Sequence, residues 1–513
     1  VANSAATTKA KIASLTELAA ITREARKRNQ KVVHCHGVFD LLHIGHVRYL
    51  EQAKSFGDIL IVTITPDRFV DKGPHRPAFT ESLRVEAVAS LGCVNYAAIN
   101  EWPTAVETLR LLQPHIYVKG SEFKTITSDM TGKMELEAEV VREIGAELKF
   151  AEDIVFSSTR LINQYLSIYP SEVQEYLDLF RRRHSLDSVL EAIDRMASLK
   201  VLVVGDSIID EYVYGEAIGK SSKDPVIAIR YQSEDRFAGG ALAVANHVAS
   251  FAGHVEIMTV LGGRNPQEDF IRSRLSANVT PNFYFADDIP TVSKRRIIEG
   301  YSLTKLIEIY DMDDRELPAK VTESMCQMVR ERAKDFDLVL VSDFGHGAIT
   351  KTLVQALCDH SPFLAVNTQA NAGNRGFHTI TRYPRADYAC IAEHELRLET
   401  RDARSDLRPL LEQTQAKLGA RYMVVTTGRK GCMVGTRNQE FIAVPALAKK
   451  VVDRVGAGDA FLSISALAAA QGVPFEILGF IGNLAGAEAV EIVGNDKAVD
   501  KLKLRKHLVS LLK

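Results

Sequence analysis

The sequence predicts two doubly wound α/β domains in one chain, and three observations carry that reading. At 513 residues the chain exceeds what one hydrophobic core ordinarily supports. Near its start, the apolar runs Lys31–Cys35 and Asp58–Ile64 flank a helical period over Val47–Phe56, the pattern of a parallel strand–helix–strand unit. Further on, after a charge-rich helical stretch, the strand candidate Leu199–Val204 restarts the same rhythm.

Taken in order, residues 1–30 read as a polar lead and an amphipathic helix, without the apolar core of a secretory signal. A first domain is expected over 31–165, with Tyr96–Ile99 and His115–Val118 as later strands. Residues 166–196 read as a helical linker in which Arg181–His184 (RRRH) is a solvated face. The second domain is expected over 197–513, with buried strands at Val255–Val260, Leu338–Val341, Phe363–Val366 and Tyr422–Thr426 separated by helical patterns. The net charge of -2 gives no footprint for nucleic acid or an anionic membrane. No apolar run approaches the ~20 residues that span a bilayer. Six scattered cysteines resemble neither a disulfide framework nor a zinc ribbon and suit a reducing compartment, so a cytoplasmic protein is expected.

The first strand runs into His36-Gly37-Val38-Phe39-Asp40-Leu41-Leu42-His43-Ile44-Gly45-His46. Gly37 allows a tight turn and close approach of a ligand to the backbone. The helix start that follows offers N–H groups and a positive dipole end to phosphate, and His43 and His46, three apart, share one face. Capping or core roles are the plainer alternatives, as is a metal site with His34 and His36, although these pairs do not make up a usual zinc set.

This segment resembles the HxGH nucleotidyltransferases. HGVFDLLHIGHVRYLEQAKSFGD is similar to the nucleotidyltransferase half, a Rossmann-like domain, of bacterial heptose kinase/nucleotidyltransferase enzymes, and the likeness runs to about residue 165. Lys72-Gly73-Pro74-His75-Arg76-Pro77 resembles the family's K-x-GP-x-RP loop with one spacing difference. Leu83-Arg84 resembles its arginine helix, Val118-Lys119-Gly120-Ser121 its VKG-G stretch, and Phe156-Ser157-Ser158-Thr159 its second phosphate motif. The resemblance implies attack of a sugar-phosphate oxygen on the α-phosphorus of CTP or ATP, with pyrophosphate leaving and no covalent protein intermediate. It implies His43 and His46 as donors to the α- and β-phosphates, with Lys72 and Arg84 as added positive charge. Ser158 and Thr159 would lie at the triphosphate end, Gly37, Phe39 and Asp40 in the nucleotide site, and Mg2+ would screen the rest.

A second motif, Asp453-Arg454-Val455-Gly456-Ala457-Gly458-Asp459-Ala460-Phe461, precedes a long helical pattern of small residues. Gly-Ala-Gly at a helix start exposes successive N–H groups, and an aspartate one step inside can accept a hydroxyl proton. A glycine-rich turn with a capping aspartate is the plainer alternative. The segment resembles the ribokinase-type carbohydrate kinases, over roughly residues 197 to 505. Gly205-Asp206-Ser207-Ile208-Ile209-Asp210 resembles their opening GD-x-x-x-D, and Phe237-Ala238-Gly239-Gly240-Ala241 their GG sugar loop, with Asn246 on the helix after it. Ser342-Asp343-Phe344-Gly345-His346-Gly347 resembles the SDYgKG segment of heptose kinases, and Thr426-Thr427-Gly428-Arg429-Lys430-Gly431 the nucleotide-side T-x-G-x-x-G loop. The resemblance implies Asp459 as base and Gly456, Ala457 and Gly458 as anion hole. Asp206, Asp210, Gly239, Gly240 and Asn246 would face the sugar, Thr427, Gly428 and Gly431 the ATP, and Glu395 a magnesium ion.

Three segments depart from the family pattern. Ala392 stands at the asparagine of Thr-Pro-Asn-x-x-Glu, Val366-Asn367-Thr368-Gln369 replaces Asp-Pro-Lys, and His346 replaces the lysine of SDYgKG. Gly215-Glu216-Ala217-Ile218-Gly219-Lys220-Ser221 imitates a P-loop but has three residues between its glycines where four are needed. The expectation is a bifunctional sugar activator: ATP-dependent phosphorylation of a heptose phosphate-like sugar, and nucleotidyl transfer to a sugar 1-phosphate. Its domain order is the reverse of the familiar heptose enzymes. One alternative keeps the transferase and makes the kinase fold a binding or regulatory module; another is a polyol phosphate enzyme sharing the HxGH site. The expected partners are sugar phosphates and nucleoside triphosphates, with neither nucleic acid nor membrane. Because ribokinase-type enzymes pair through their lid sheets, a homodimer is implied.

Overall fold

The structure, a computed structural model, describes residues 8–70, 76–120, 133–151, 169–313 and 315–512. Its chain divides into two units, residues 1–168 with 505–513, and residues 169–504.

In the first unit, Ser14 starts the helix Leu15–Lys27 through a capping box, its Oγ accepting the Glu17 N–H while Glu17 accepts the Ser14 N–H. The buried stripe Leu15, Leu18, Ala19 and Ala25 packs on Val32, Ile61 and Ala98, so the amphipathic helix covers one face of the sheet. Five parallel strands lie in the order Tyr96–Ile99, Ile59–Ile64, Val32–Gly37, Ile116–Gly120, Glu147–Ala151. Alternate residues Val33, Cys35, Leu60, Val62 and Ile64 bury the opposite face against Leu50 and Ala53 of the helix Ile44–Ser55. The order of strands reverses at Val32–Gly37, and the histidine motif lies at the carboxyl end of that strand. In open α/β sheets this is where ligands bind.

The second unit holds a nine-stranded sheet. Seven parallel strands run from Val279–Ala286 through His254–Gly262, Lys200–Gly205, Leu338–Asp343, Leu364–Thr368 and Tyr388–Ala392 to Tyr422–Thr426. Cys432–Thr436 and Phe441–Val444 then add an antiparallel edge. The central strands are apolar and closed to solvent on both faces, as parallel strands under helices must be. The helix Ala457–Ala470 is buried along nearly its whole length, which its small residues permit.

A second, four-stranded sheet has the order Thr304–Asp311, Val292–Glu299, Ser207–Lys220, Ile227–Gly240. Its strands carry polar residues on both faces and so present no apolar run. The P-loop imitation Gly215–Ser221 lies at the end of one of these strands. The chain turns back there into Ile227–Gly240 and forms no helix, so this segment is not a phosphate loop.

Within the expected linker, the helices Ser171–Arg183 and Leu186–Arg195 belong to the second unit. Phe180 stacks on Phe480 of the helix Phe475–Ala489 with ring centroids 4.4 Å apart. Arg182 and Arg183 are exposed.

Candidate active sites

The first site is built on one strand end and one helix start. His43 caps the helix Ile44–Ser55: its Nδ1 accepts the Gly45 N–H at 3.1 Å, and the His46 Nδ1 accepts the His43 N–H at 3.4 Å. An Nδ1 that accepts places the ring proton on Nε2, so both imidazoles are Nε2–H donors with fixed orientation. The rings lie 4.0 Å apart on one face, as their spacing predicts. Burial holds the His43 pKa below the usual histidine value, which favours a neutral donor. Phe39 adopts a left-handed φ of 48° and sets its ring 5.4 Å from His46. A Cβ at Gly37 would come within 3.1 Å of the Phe39 ring.

Other expected ligands serve the loop. Asp40 is buried and accepts from the Arg76 guanidinium and the Ala78 N–H, each at 2.5 Å, which pins the segment after residue 75 over the motif. Arg84 is a correction: it offers phosphate no open cation. Its guanidinium, 2 % exposed, donates to the carbonyls of Val38, Thr65 and Phe79 and to Asp67, because burial demands that its donors be satisfied. It acts by holding the Val38 carbonyl. Lys119 pairs with Glu137 at 2.7 Å. Lys72, Ser158 and Thr159 lie outside the described residues.

The metal alternative finds no support in geometry. His34 and His36 share the Thr63 hydroxyl at 2.8 and 2.9 Å, and burial pushes both pKa values down to about 3, so they are neutral core groups. Among the described residues no group of three or more histidine, cysteine or carboxylate side chains could hold a metal ion.

In the second site, Gly456, at φ 83°, turns the chain into the helix Ala457–Ala470. A side chain there would meet Asn495 Oδ1 at 2.2 Å, so this position requires glycine twice over. Nothing lies within 4 Å of a Cβ built on Gly458, which leaves room beside the first-turn N–H groups for a phosphoryl group. The Ala457 N–H reaches back to the Arg454 carbonyl at 3.5 Å, closing the turn, so of the expected anion-hole residues Ala457 has its N–H engaged. Asp459 is 7 % exposed, with Gln369 Nε2 3.5 Å from its Oδ1. Burial, with Asp210 and Glu395 adding negative charge against the opposing Lys294, pushes its carboxyl up to about 7. A carboxyl with that pKa is partly ionised at neutral pH, the condition a general base needs.

Of the expected sugar contacts, Asp206 needs correction. Its carboxylate accepts the N–H groups of Phe344, His346 and Ala348 at 2.9, 3.4 and 3.0 Å, so it shapes the SDFGHG loop. Asn246 is also corrected: its amide bonds the Arg274 carbonyl and the Ser276 N–H, both at 2.9 Å, and it tethers a loop. Asp210 is near enough to Asp459 to raise its pKa and pairs with Arg296 at 2.5 Å. Gly239 permits this, since a Cβ there would stand 2.1 Å from Asp210 Oδ2. Gly240, at φ 60°, caps the helix Ala241–Ala249 and passes within 2.4 Å, by the same construction, of the Asp206 carbonyl. Glu395 accepts the N–H groups of Ala392 and Ala370 at 2.7 and 2.9 Å, tying two strand ends together. Thr427, Gly428 and Gly431 form a tight turn, the Thr427 N–H meeting the Gly431 carbonyl at 2.8 Å. A Cβ at Gly431 would fall 1.9 Å from the Val444 carbonyl.

The cytidylyltransferase-like family model matches residues 34–164, and the pfkB family carbohydrate kinase model matches residues 198–501, more than half of the chain. The chain belongs to the pfkB family of carbohydrate kinases. It is 28% identical over 298 residues to a bifunctional protein HldE of Koribacter versatilis, covering 57% of this chain and 60% of that protein. It is 27% identical over 337 residues to an HldE of Desulfatibacillum aliphaticivorans, covering 63% and 65%. The chain thus spans less than two thirds of the length of these relatives. Phosphofructokinase-2 from Escherichia coli, in complex with potassium, superposes on 61% of this chain and all of its own with a TM-score of 0.52 at 16% identity. At that identity the likeness shows the fold.

Within the pfkB domain, motif reading missed three residues. Lys294 and Arg296 point inward from the strand Val292–Glu299, with Arg295 between them exposed. Arg296 bridges Asp210 and Glu308 at 2.5 and 2.7 Å, and Lys294 lies over the rings of Tyr310 and Phe344. Asn495 reaches Asp210 Oδ2 at 3.4 Å. The lysine and arginine two apart in TVSKRRII were the available signal, legible only once the segment is known to be a strand. The substituted Asn367 donates to the Cys390 carbonyl at 2.7 Å, a structural bond between neighbouring strands.

Proposed function

We propose that this chain activates a sugar in two reactions. In the second unit, the sugar or sugar-phosphate hydroxyl gives its proton to Asp459 as its oxygen bonds to the γ-phosphorus of ATP and ADP leaves. The helix start at Gly458 receives the transferring phosphoryl group. The room beside Gly458 fits a nucleotide phosphate, and magnesium would supply charge neutralisation while carried mainly by phosphate oxygens and water. In the first unit, the Nε2–H groups of His43 and His46 donate to the phosphates of CTP or ATP while a sugar 1-phosphate oxygen displaces pyrophosphate. The HldE relatives make a heptose phosphate the first acceptor to try.

The observation that carries the kinase reading is a buried carboxyl at about 7 beside an open, glycine-built helix start. The test is ADP formation from ATP and magnesium against heptose 7-phosphates, other sugar phosphates and free sugars. Turnover with one of them supports the reading, and no acceptor-dependent ADP across the panel contradicts it.

We also propose a homodimer formed through the small sheet. The outer face of that sheet exposes Ile307 and Ile309, at 56% and 51%, beside Ile297 on the neighbouring strand. The inner face carries Asp210, Tyr212, Lys294 and Arg296. A second copy of the same face is self-complementary, as an isologous interface requires. Six free thiols support a cytoplasmic location, and among the described residues no helix is long and apolar enough to cross a membrane.

A further inference from the structure

Asp453 lies three residues before Gly456, and four donors converge on its carboxylate. Lys305 Nζ reaches Oδ1 at 2.7 Å and the Tyr212 hydroxyl reaches Oδ2 at 2.7 Å. The N–H groups of Val455 and Gly494 bond the same two oxygens at 3.2 and 3.0 Å. The first two donors come from separate strands of the small sheet, Thr304–Asp311 and Ser207–Lys220. The last two belong to the turn into the Asp459 helix and to the segment carrying Asn495, which touches Asp210 and packs against Gly456.

Lys305 is aimed at this point by a distortion. Ile307 and Ile309 face outward, and by simple alternation Lys305 would follow them. The register shifts between Ile297 and Ile298, so that Ile297 pairs with Ile307 but Ile298 pairs with Lys305. This bulge turns Lys305 onto the inner face, where its ammonium lies 5.1 Å from the centre of the Tyr212 ring as well as on Asp453. Burial works against the Asp453 carboxylate, and the bonds from Lys305, Tyr212 and the two N–H groups overcome it, holding its pKa below the usual value. The carboxylate therefore stays ionised at neutral pH. The same three side chains wall a cavity of about 340 Å³ that Arg429 of the nucleotide-side turn and Arg454 also line.

We propose that Asp453, Lys305 and Tyr212 form a latch through which the small sheet, acting as a lid over the acceptor site, sets the Gly456–Asp459 turn. The catalytic helix start takes its working geometry only with the lid shut. Asp453 is a positioning residue, since it reaches the reaction through Gly456 and touches no reacting atom. The catalytic consequence rests on the kinase reading above; the structural coupling does not.

Hydrogen exchange on the full chain, without ligand, tests the coupling. In Lys305→Met, amides of residues 451–459 and of 304–311 exchange faster together, by about tenfold or more, while the core strand 338–343 keeps the wild-type rate. Lys305→Arg restores both segments. Unchanged exchange over 451–459 in Lys305→Met overturns the latch. Equal acceleration in the core strand overturns it too, unless Tyr212→Phe, which removes one oxygen, loosens the same two segments alone. With ATP and a heptose 7-phosphate, Lys305→Met is expected to lower kcat about 10–100-fold with KM for ATP within threefold, and Lys305→Arg to recover it. A wild-type chain that transfers no phosphoryl group counts against the kinase reading and leaves the exchange result to decide the latch.

Discussion

Asp459 sits where two effects oppose each other. The amino end of a helix favours an anion, by typically 0.3–1 kcal/mol, yet burial and two neighbouring carboxylates hold its pKa near 7. Catalysis needs the ionised form, so kcat/KM for phosphoryl transfer should rise through about pH 7 and level above it, as read by ADP formation across pH 5.5–9. Stability should run the other way. A carboxyl whose folded pKa lies above its ordinary 3.8 favours the folded state most at low pH, and that contribution is lost as pH rises through about 7. Asp459→Asn should therefore raise Tm at pH 8 by roughly 2–4 °C more than it does at pH 5, as measured by calorimetry. An equal gain at both pH values would mean that Asp459 is not the group titrating near 7. At this scale the placement of His43 and His46 on one face of a helix start, and of Asp459 in the first turn after Gly456, was legible because a turn before a helix is a local pattern. Arg84, Asp206 and Asn246 were misread because the partners of a polar side chain lie elsewhere in the chain. Asp206 answers to residues 344–348 and Arg84 to Val38 and Thr65, and nothing near either residue in sequence announces this.

At the scale of elements, the parallel strands were legible as apolar runs because helices cover both faces of their sheet. The small sheet was not, since its inner face carries Asp210, Lys294 and Arg296 and its outer face mixes polar residues with Ile307 and Ile309, which leaves no apolar run. The expected linker was read as helical with Arg181–His184 as a solvated face; Arg182 and Arg183 are exposed, while Val173, Leu177 and Phe180 give the same helix a buried stripe. Element packing also makes a sharp prediction at Gly239. An alanine methyl there would stand 2.1 Å from Asp210 Oδ2, forcing Asp210 away from Arg296. Gly239→Ala should destabilise the second unit by about 1–3 kcal/mol in denaturant unfolding and weaken acceptor binding, while nucleotidyl transfer is untouched. Wild-type stability in this variant would show that the glycine is not required by close approach.

At the scale of the whole molecule, one chain carries two candidate sites, and the proposed dimer pairs two chains through the outer faces of their small sheets. Ile307→Glu places a charge in the proposed interface and should convert a dimer to a monomer in sedimentation analysis, with kinase activity reduced by lid loosening at most. A monomeric wild-type chain would contradict the pairing. The domain order, cytidylyltransferase-like first and kinase second, was legible from two motifs, each complete within a dozen residues. The choice of sugar was not, because the residues that would meet it come from the small sheet and the 493–495 segment as well as from the motifs.

The most direct test of the central claim uses one protein preparation and two readouts, ADP formation with a sugar phosphate acceptor and pyrophosphate release with a sugar 1-phosphate. Asp459→Asn should abolish the first and keep the second. His46→Ala should lower the second about 100–1,000-fold and keep the first. Loss of both activities in either folded variant, or survival of both, would contradict two independent sites on this chain.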